Sequence, residues 1–500
     1  MDVFSTQIDI IKTFSGKRIL VIGDLILDIY LKGSSTRLCP EAPVPVMDVR
    51  EKQMFLGGAA NTVCNLRALG ASVNFCTVAG SDAAGDEAVR LLADLGVDPT
   101  TVIRHRMRKT ITKSRVIAGS QLITRIDEGT EAPIDAHTSR KLVHSVERAI
   151  KGCDALVVSD YDKGVITAPV LAELKALAHK NALFTAVDSK RLLFFSSLQP
   201  SYAKPNYREA MHLLGTPVQP SGKVEQIRNE AARLHQKINA PLITVTLDGD
   251  GSVVIENGRP TYVCHAPFIA SPQVAGAGDT YLSAFVLSFI NSHRAAISAE
   301  IATAAAAIAV RKESTASCWQ AELKNYFNLH SKYIGAVADL EETCAAYRAD
   351  GKRIVFTNGC FDILHSGHVA YLRRAKKLGN VLIIGLNTDE SIKRIKGKDR
   401  PINGLEDRLQ VLAGLSSVDH IIPFGSEHDD TPVALIRAVR PHVFAKGGDY
   451  TKEKLPEAAT VEACGGEIVF LDHVPDHSTT RIINRISRMG HRAQEEILRS

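Results

Sequence analysis

The chain has 500 residues, 45% of them hydrophobic and 23% charged, with a formal net charge of +5. That length exceeds what one hydrophobic core organises, so at least two domains are expected. The small charge speaks against a nucleic-acid-coating surface, and the longest apolar run, "IATAAAAIAV", is too short and alanine-rich to span a bilayer.

No secretory signal is expected, because Asp2 and Asp9 interrupt the start before an apolar run develops. Nine cysteines occur without any C-x-x-C pair. An odd count in a long chain argues against a disulfide framework or structural zinc and for a reducing cytoplasm. "RILVIGD", "ALVVSDYD", "LFTAVDSK" and "LITVTLDGDG" read as strands that run into polar loops, and "APVLAELKALAHK" between them reads as an amphipathic helix. The alternation predicts an α/β domain with a largely parallel sheet over 1–318. "RHRMRKTITKSR" reads as an exposed basic strand pair, with Arg104, Arg106 and Arg108 as solvated charges.

"AGAGDTYLSAF" places Gly276, Ala277 and Gly278 at a helix start, where consecutive N–H groups can form an anion hole for a phosphoryl group. Asp279 follows directly and can take a proton from an attacking hydroxyl, or serve as a plain N-cap. The rhythm breaks after this helical region, and 319–335 is expected to be a polar linker. "RIVFTNG", "VLIIGLNTD", "VDHIIPFG", "HVFAKGGD" and "EIVFLDHV" then predict a second, smaller doubly wound domain over 336–500.

Ligands of open α/β sheets bind at the carboxyl ends of strands. Asp24, Asp28, Asp160, Asp188 and Asp248 are expected there in the first half, and Asn358, Asp362, Asn387, Asp389, Lys446 and Asp449 in the second. In "TNGCFDILHSGHVAYLRRA", His365 and His368 stand at the entrance of a helix whose Val369, Leu372 and Ala375 mark a buried stripe. Free N–H groups and the helix dipole favour anions at that place, and two imidazoles can neutralise charge on a phosphorus under attack. Gly367 leaves room for a phosphate to come close. A metal pair or two capping histidines are the other readings; no third ligand in an H-E-x-x-H pattern is present. Cys360 reads as a small residue in a tight loop rather than a nucleophile.

"TNGCFDILHSGH" resembles the H-x-G-H signature of the cytidylyltransferase-like nucleotidyltransferases. "GLNTDES", "KGKDRPINGLEDR", "KGGDY" and "STTRII" resemble further elements of that family in the right order. The resemblance implies a Rossmann-like domain with Asn358, Gly359, Phe361, Asp362, Lys446, Ser478, Thr479 and Thr480 around the nucleotide. It also implies Lys398, Arg400 and Arg408 as phosphate-charge candidates on a basic loop. The chemistry implied is attack by a substrate phosphate on the α-phosphorus of a nucleoside triphosphate, with magnesium assisting.

In the front half, "LGGAANTVCNLRALG" and the G-A-G-D run resemble the two signatures of the ribokinase (PfkB) family, which implies a ribokinase-like doubly wound fold. "KPNYREA" carries the N-x-x-E pattern, so the resemblance places Asn206, Tyr207, Arg208 and Glu209 by Mg–ATP, with Asn206 and Glu209 nearest the metal. "TLDGDG" implies Asp248 and Gly249 beside the nucleotide. Gln273 and Ala275 depart from the Asp-x-Thr that often precedes the G-A-G-D run.

"GDLILDIYLKGSSTRLCPEAPVPV" and "TITKSRV" resemble the heptose-7-phosphate kinases. The resemblance implies Asp24, Asp28, Gly57, Gly58 and Asn61 around sugar hydroxyls, and Arg37, Lys113 and Arg115 around the distant phosphate. The domain pair resembles the bifunctional heptose-7-phosphate kinase/heptose-1-phosphate adenylyltransferase family, which makes ADP-heptose for lipopolysaccharide core. The expected cofactor is Mg2+ with ATP. The expected partners are small molecules and a second copy through the kinase domain, with no nucleic acid and no membrane insertion, in the cytoplasm. The same domain pair acting on another sugar phosphate or with CTP, or a turnover-deficient nucleotide-sensing scaffold, are the competing readings.

Overall fold

Short runs of branched apolar residues form the strands of a computed structural model, which describes residues 3–471 apart from 120, 268, 270–275, 313–316, 331, 448–451 and 453–454. The expectations at Gln273, Ala275, Asp449 and Ser478–Thr480 lie outside the described residues. By its internal packing the chain divides into two compact units, one of Thr6–Asn325 and one of Met1–Ser5 with Tyr326–Ser500. The division falls inside a helix, Gln320–His330, within the stretch expected as a polar linker.

The first unit carries strands β1 (Arg18–Gly23), β2 (Leu25–Leu38), β3 (Pro45–Gly58), β4 (Ser72–Gly80), β5 (Val102–His105), β6 (Ile111–Ala118) and β7 (Gln121–Glu128). They are followed by β8 (Ala155–Asp160), β9 (Phe184–Ser189), β10 (Tyr202–Ala203), β11 (Leu242–Thr246), β12 (Ser252–Glu256) and β13 (Arg259–Cys264). Nine of them form one sheet in the order β13-β12-β11-β10-β9-β8-β1-β4-β5. It is parallel at its centre, where β1 lies between β8 and β4. Burial on both faces explains why β1 reads as a continuous apolar run rather than an alternating one. Leu20 and Ile22 share a core with Leu156, Val158 and Val187.

The other four strands form a second sheet, β3-β2-β6-β7. Only the first half of β2 is buried, and β7 is exposed along its whole length. Strands 14 residues long with polar centres such as "KGSSTR" lack a core-facing pattern, so periodicity does not announce them. The basic segment does form strands β5 and β6, but Arg108 is not the solvated charge expected. It is buried, and its Nη1 donates to the carbonyl of Ala132 at 2.7 Å. Arg104 pairs with Asp86 at the surface, and Arg106 is exposed.

The second unit holds β14 (Ile354–Gly359), β15 (Val381–Asn387), β16 (His420–Phe424), β17 (Val443–Gly447) and β18 (Glu467–Leu471), paired in parallel in the order β16-β15-β14-β17-β18. Successive residues of β14 feed opposite cores. Ile354 and Phe356 pack with Ile383 and Phe444, while Val355 packs with Leu382 and Ile384. The chain winds outward from β14 to β16 and returns to β17, so the β14/β17 crevice is the topological switch point where such sheets bind ligands.

Candidate active sites

In the first unit the helices Ala59–Ala68 and Ala277–Ser292 pack against each other. Small residues allow this approach and bring Asn61 and Thr62 to the start of the second helix. Asp279 is buried there. Its Oδ2 accepts from Asn61 Nδ2 at 2.7 Å and its Oδ1 from Thr62 Oγ1 at 3.1 Å. Tyr161 Oη donates to both oxygens, at 3.0 and 3.2 Å. Burial and the nearby Asp188 push the Asp279 carboxyl up to about 6, against the downward pull of its hydrogen bonds and of Lys204. A carboxyl so placed is poised to exchange a proton near neutral pH.

Asp279 opens into a cavity of about 200 Å3 lined also by Asp160, Tyr161, Asp188, Lys190, Lys204, Asn206, Glu209, Gly276 and Gly278. Gly276 caps the helix with φ 84°, in the left-handed region that favours glycine. The Lys204 ammonium lies 2.9 Å from Asp188, and 3.4 Å from where a β-carbon on Gly278 would stand. Burial opposes the charge on that ammonium, but Asp188 together with Glu209 and Asp279 more than offsets it and holds its pKa up, so it stays charged. Asn206 and Glu209 form a reciprocal capping box: Glu209 N–H donates to Asn206 Oδ1 at 2.9 Å, and Asn206 N–H donates to Glu209 Oε2 at 2.8 Å. Tyr207, by contrast, is buried with its hydroxyl near Gln226, while Arg208, Asp248 and Gly249 are exposed.

Among the residues expected around a sugar, Asp28 is buried and ion-paired with Arg115, which also lies over the Tyr30 ring. A β-carbon on Gly57 would sit 2.1 Å from Asp28 Oδ2, so the glycine makes the seat for that carboxylate. Lys113 is half-buried above the Tyr161 ring, and desolvation lowers its pKa. Asp24 has another occupation. Its carboxylate accepts the backbone N–H groups of Tyr161, Lys163 and Val165 at 2.8, 3.1 and 3.2 Å, winding the loop after β8 around itself. Arg37 is exposed near the end of β2, apart from this group.

In the second unit His365 is the N-cap of helix Ser366–Lys376, and the imidazoles of His365 and His368 stack with centroids 3.9 Å apart. Phe361, held at φ 43°, turns its ring against His368 at 5.3 Å. Such backbone strain is worth roughly 1–3 kcal/mol and collects at functional sites. Leu372 and Ala375 are buried as the helix stripe requires, and Val369 is half-buried. At the switch point Lys446 Nζ, from β17, donates to Asn358 Oδ1, from β14, at 2.9 Å.

The basic loop divides into distinct roles. Lys398 is exposed. Arg400 pairs with buried Asp362, which also accepts the N–H groups of Ile402 and Asn403. Arg408, expected to face phosphate, has no exposed side-chain surface. Its guanidinium donates to the carbonyls of Asn403, Cys360 and Asn387 and to Asp389, so it ties the ends of β14 and β15 to the loop before its own helix.

Residues 17–322 match the pfkB family carbohydrate kinases, and 356–485 match the cytidylyltransferase-like family. The bifunctional protein HldE of Pelobacter propionicus is 37% identical over 473 residues, 93% of this chain and 95% of its own length. That of Helicobacter pylori is 38% identical over 482 residues, 94% of this chain and 99% of its own. The chain belongs to the bifunctional HldE family. Its two units are a carbohydrate kinase and a nucleotidyltransferase. The ribokinase-like fold of the first is shared with Arabidopsis thaliana ribokinase (TM-score 0.50, 17% identity, 62% of this chain and 98% of that one). It is shared also with phosphofructokinase-2 of Escherichia coli (TM-score 0.52, 20% identity, 62% and 98%).

Four residues around Asp279 and its cavity were not among the expected site residues: Thr62, Tyr161, Lys190 and Lys204. Thr62 lies beside Asn61 in the first signature, and Lys204 opens the quoted "KPNYREA". Both could have been found by asking which neighbours share the motif's helix face or strand end. Tyr161 and Lys190 directly follow the last residues of β8 and β9, so the same question about strand ends reaches them.

Proposed function

We propose that the first unit phosphorylates the anomeric hydroxyl of heptose 7-phosphate to give the 1,7-bisphosphate. We further propose that the second adenylylates heptose 1-phosphate, forming ADP-heptose and pyrophosphate for lipopolysaccharide core. The observation that carries the kinase reading is Asp279, buried at a helix start and facing a cavity shared with Lys204 and Glu209.

In the kinase, the sugar hydroxyl passes its proton to Asp279 as its oxygen bonds the γ-phosphorus and the bond to ADP breaks. N–H groups at Gly276, Ala277 and Gly278, with the Lys204 ammonium, meet the charge that builds on the phosphoryl oxygens. Asn61 holds the Asp279 carboxylate toward that hydroxyl. Asp28, Gly57 and Gly58 shape the sugar seat, and Lys113 and Arg115 meet the 7-phosphate.

The described residues include no group of three or more side chains that would cage a metal. The cavity does offer Asp188, Asn206 and Glu209, the oxygen donors that suit a hard cation already held by phosphates. Magnesium bound with ATP would supply charge neutralisation of the phosphates, and Asn206 and Glu209 would hold it.

In the transferase, an oxygen of the sugar 1-phosphate bonds the α-phosphorus, and the bond to the β-phosphate breaks to release pyrophosphate. His365 and His368 meet the charge that peaks in that step. Lys446 and Lys398 supply further positive charge, and Asn358, Gly359, Phe361 and Asp362 shape the nucleotide seat.

We place the enzyme in the cytoplasm. No helix of the described residues is long and apolar enough to cross a membrane. We read it as a homodimer through the kinase unit, whose four-stranded sheet exposes Leu38, Val49, Leu122 and Ile126. Mass spectrometry of the products from heptose 7-phosphate with Mg–ATP, and from heptose 1-phosphate with Mg–ATP or Mg–CTP, tests both activities. Absence of a bisphosphate in the first, or a CDP-sugar formed preferentially in the second, would overturn the corresponding half.

A further inference from the structure

Tyr161 lines the kinase cavity beside Asp279, and three independent contacts fix it. Its backbone N–H is tied to Asp24, its ring lies beneath the ammonium groups of Lys113 and Lys190 at 5.8 and 5.9 Å, and its hydroxyl is shared between both oxygens of Asp279. Asp24 sits at the end of β1 and Asp279 on a distant helix, so the tyrosine joins two otherwise separate anchors.

We propose that Tyr161 is a positioning residue of the kinase, which aims the Asp279 carboxylate and keeps it ionised through the hydrogen bond from its phenol. The proposal rests on the reading of Asp279 as the proton acceptor. An ionised carboxylate offers about four acceptor sites. Asn61, Thr62 and Tyr161 are three donors, which leaves one site for the sugar hydroxyl. Asn61 and Thr62 approach from the packed helix; Tyr161 is the donor on the cavity side.

The charges around the pair oppose one another. Asp188 and burial favour the protonated acid, whereas Lys204 and the hydrogen bonds favour the carboxylate. Cys64 on the packed helix stays a neutral thiol, with its pKa pushed up to about 12. Burial and the carboxylates of Asp279, Asp188 and Asp28 drive the Tyr161 phenol well above its ordinary pKa. It therefore remains a donor at every pH at which the enzyme works. A donor to the charged form lowers an acid's pKa. Its loss should raise that of Asp279 by about one unit, since a hydrogen bond to a charged group is worth about that much.

The test is kcat/KM of the full-length kinase against pH, with heptose 7-phosphate and Mg–ATP, for the parent, Tyr161→Phe and Asp279→Asn. The acidic limb should move up by about one pH unit in Tyr161→Phe, giving roughly tenfold loss below the limb and a much smaller loss above it. Replacing Tyr161 by 3-fluorotyrosine, a stronger donor of nearly the same shape, should move the limb down. That second variant carries the test alone if thermal melting shows Tyr161→Phe to be misfolded. An equal loss at all pH values, or a limb unmoved by either replacement, would overturn the role of Tyr161. Near-parental turnover by Asp279→Asn would instead remove the proton-acceptor reading beneath it.

Discussion

Arg115 on β6 is ion-paired with Asp28 on the adjoining strand β2, and in the strand register Asp28 faces Lys113. Two neighbouring cations thus have different freedoms. Arg115 is committed to Asp28 and to the Tyr30 face, whereas the Lys113 ammonium lies over Tyr161.

Lys113→Ala should therefore raise KM for heptose 7-phosphate roughly ten- to a hundredfold while leaving the weak phosphorylation of unphosphorylated heptose unchanged. Arg115→Ala should impair both sugars, because it also releases the Asp28 carboxylate proposed to shape their seat. Steady-state kinetics with the two sugars separates these outcomes. A Lys113→Ala variant that still discriminates between the two sugars as well as the parent would show that Lys113 reads no phosphate.

Asp279→Asn should abolish sugar phosphorylation with ATP affinity largely kept. It should also stabilise the kinase unit. The Asp279 carboxyl binds its proton more tightly in the folded chain, about 6 against 3.8 unfolded. Its contribution to stability is therefore complete below 3.8 and lost as pH rises through 6. At pH above that range the ionised, buried group is a liability of up to about 3 kcal/mol, which an uncharged amide lacks. Chemical denaturation should find the variant more stable than parent in mild alkali and no more stable near pH 4. A variant equally destabilised at both pH values would contradict this.

Arg408 and Lys398 should behave as different kinds of residue despite sharing one basic stretch. Arg408→Ala leaves three carbonyls and Asp389 without their donor, a loss of roughly 3 kcal/mol or more. It should appear as a lower melting temperature of the second unit. Lys398→Ala should leave melting unchanged and weaken ATP use, with a smaller effect at high salt. A stable Arg408→Ala protein with only a raised KM for ATP would restore the phosphate role.

His368→Ala should lower adenylyl transfer about a hundred- to a thousandfold, with less change in substrate binding, and leave sugar phosphorylation intact. Where the chain is cut should also matter. Ile334 belongs to the second unit's core, its N–H donates to Ile421 O at 2.9 Å, and Lys332 Nζ donates to the carbonyls of Ala413 and Leu415. A fragment beginning at residue 320 should thus retain adenylyl transfer and melt higher than one beginning at 336. Equal melting would mean that these contacts add nothing.

How much was legible follows from how local each signal is. Strands β1, β8, β9 and β11, and the helix Ala168–Lys180, are continuous apolar or periodic runs, and the structure has them within a few residues of their expected ends. The entrance of the His365 helix was legible for the same reason. The four-stranded sheet was not, because its polar strands bury little and its two hairpins, β2–β3 and β6–β7, are joined only by the long-range pairing of β2 with β6. The inward turn of Arg108 and Arg408 was hidden too: a buried arginine is recognised by the carbonyls that surround it, and those come from distant loops. Asp24 was legible as an acceptor but not as the anchor of a backbone turn.

The capping box at Asn206 and Glu209 ties a folding rule to a chemical one. The carboxylate that closes the entrance of its helix also faces the cavity where phosphates would be handled. Conservation at these two positions among relatives would therefore be over-determined, since selection on helix entry and selection on nucleotide handling would leave the same record. Substitutions there should arise as a matched pair that preserves the reciprocal bonds. A relative that has discarded phosphoryl transfer should still keep the pair for as long as it keeps the helix.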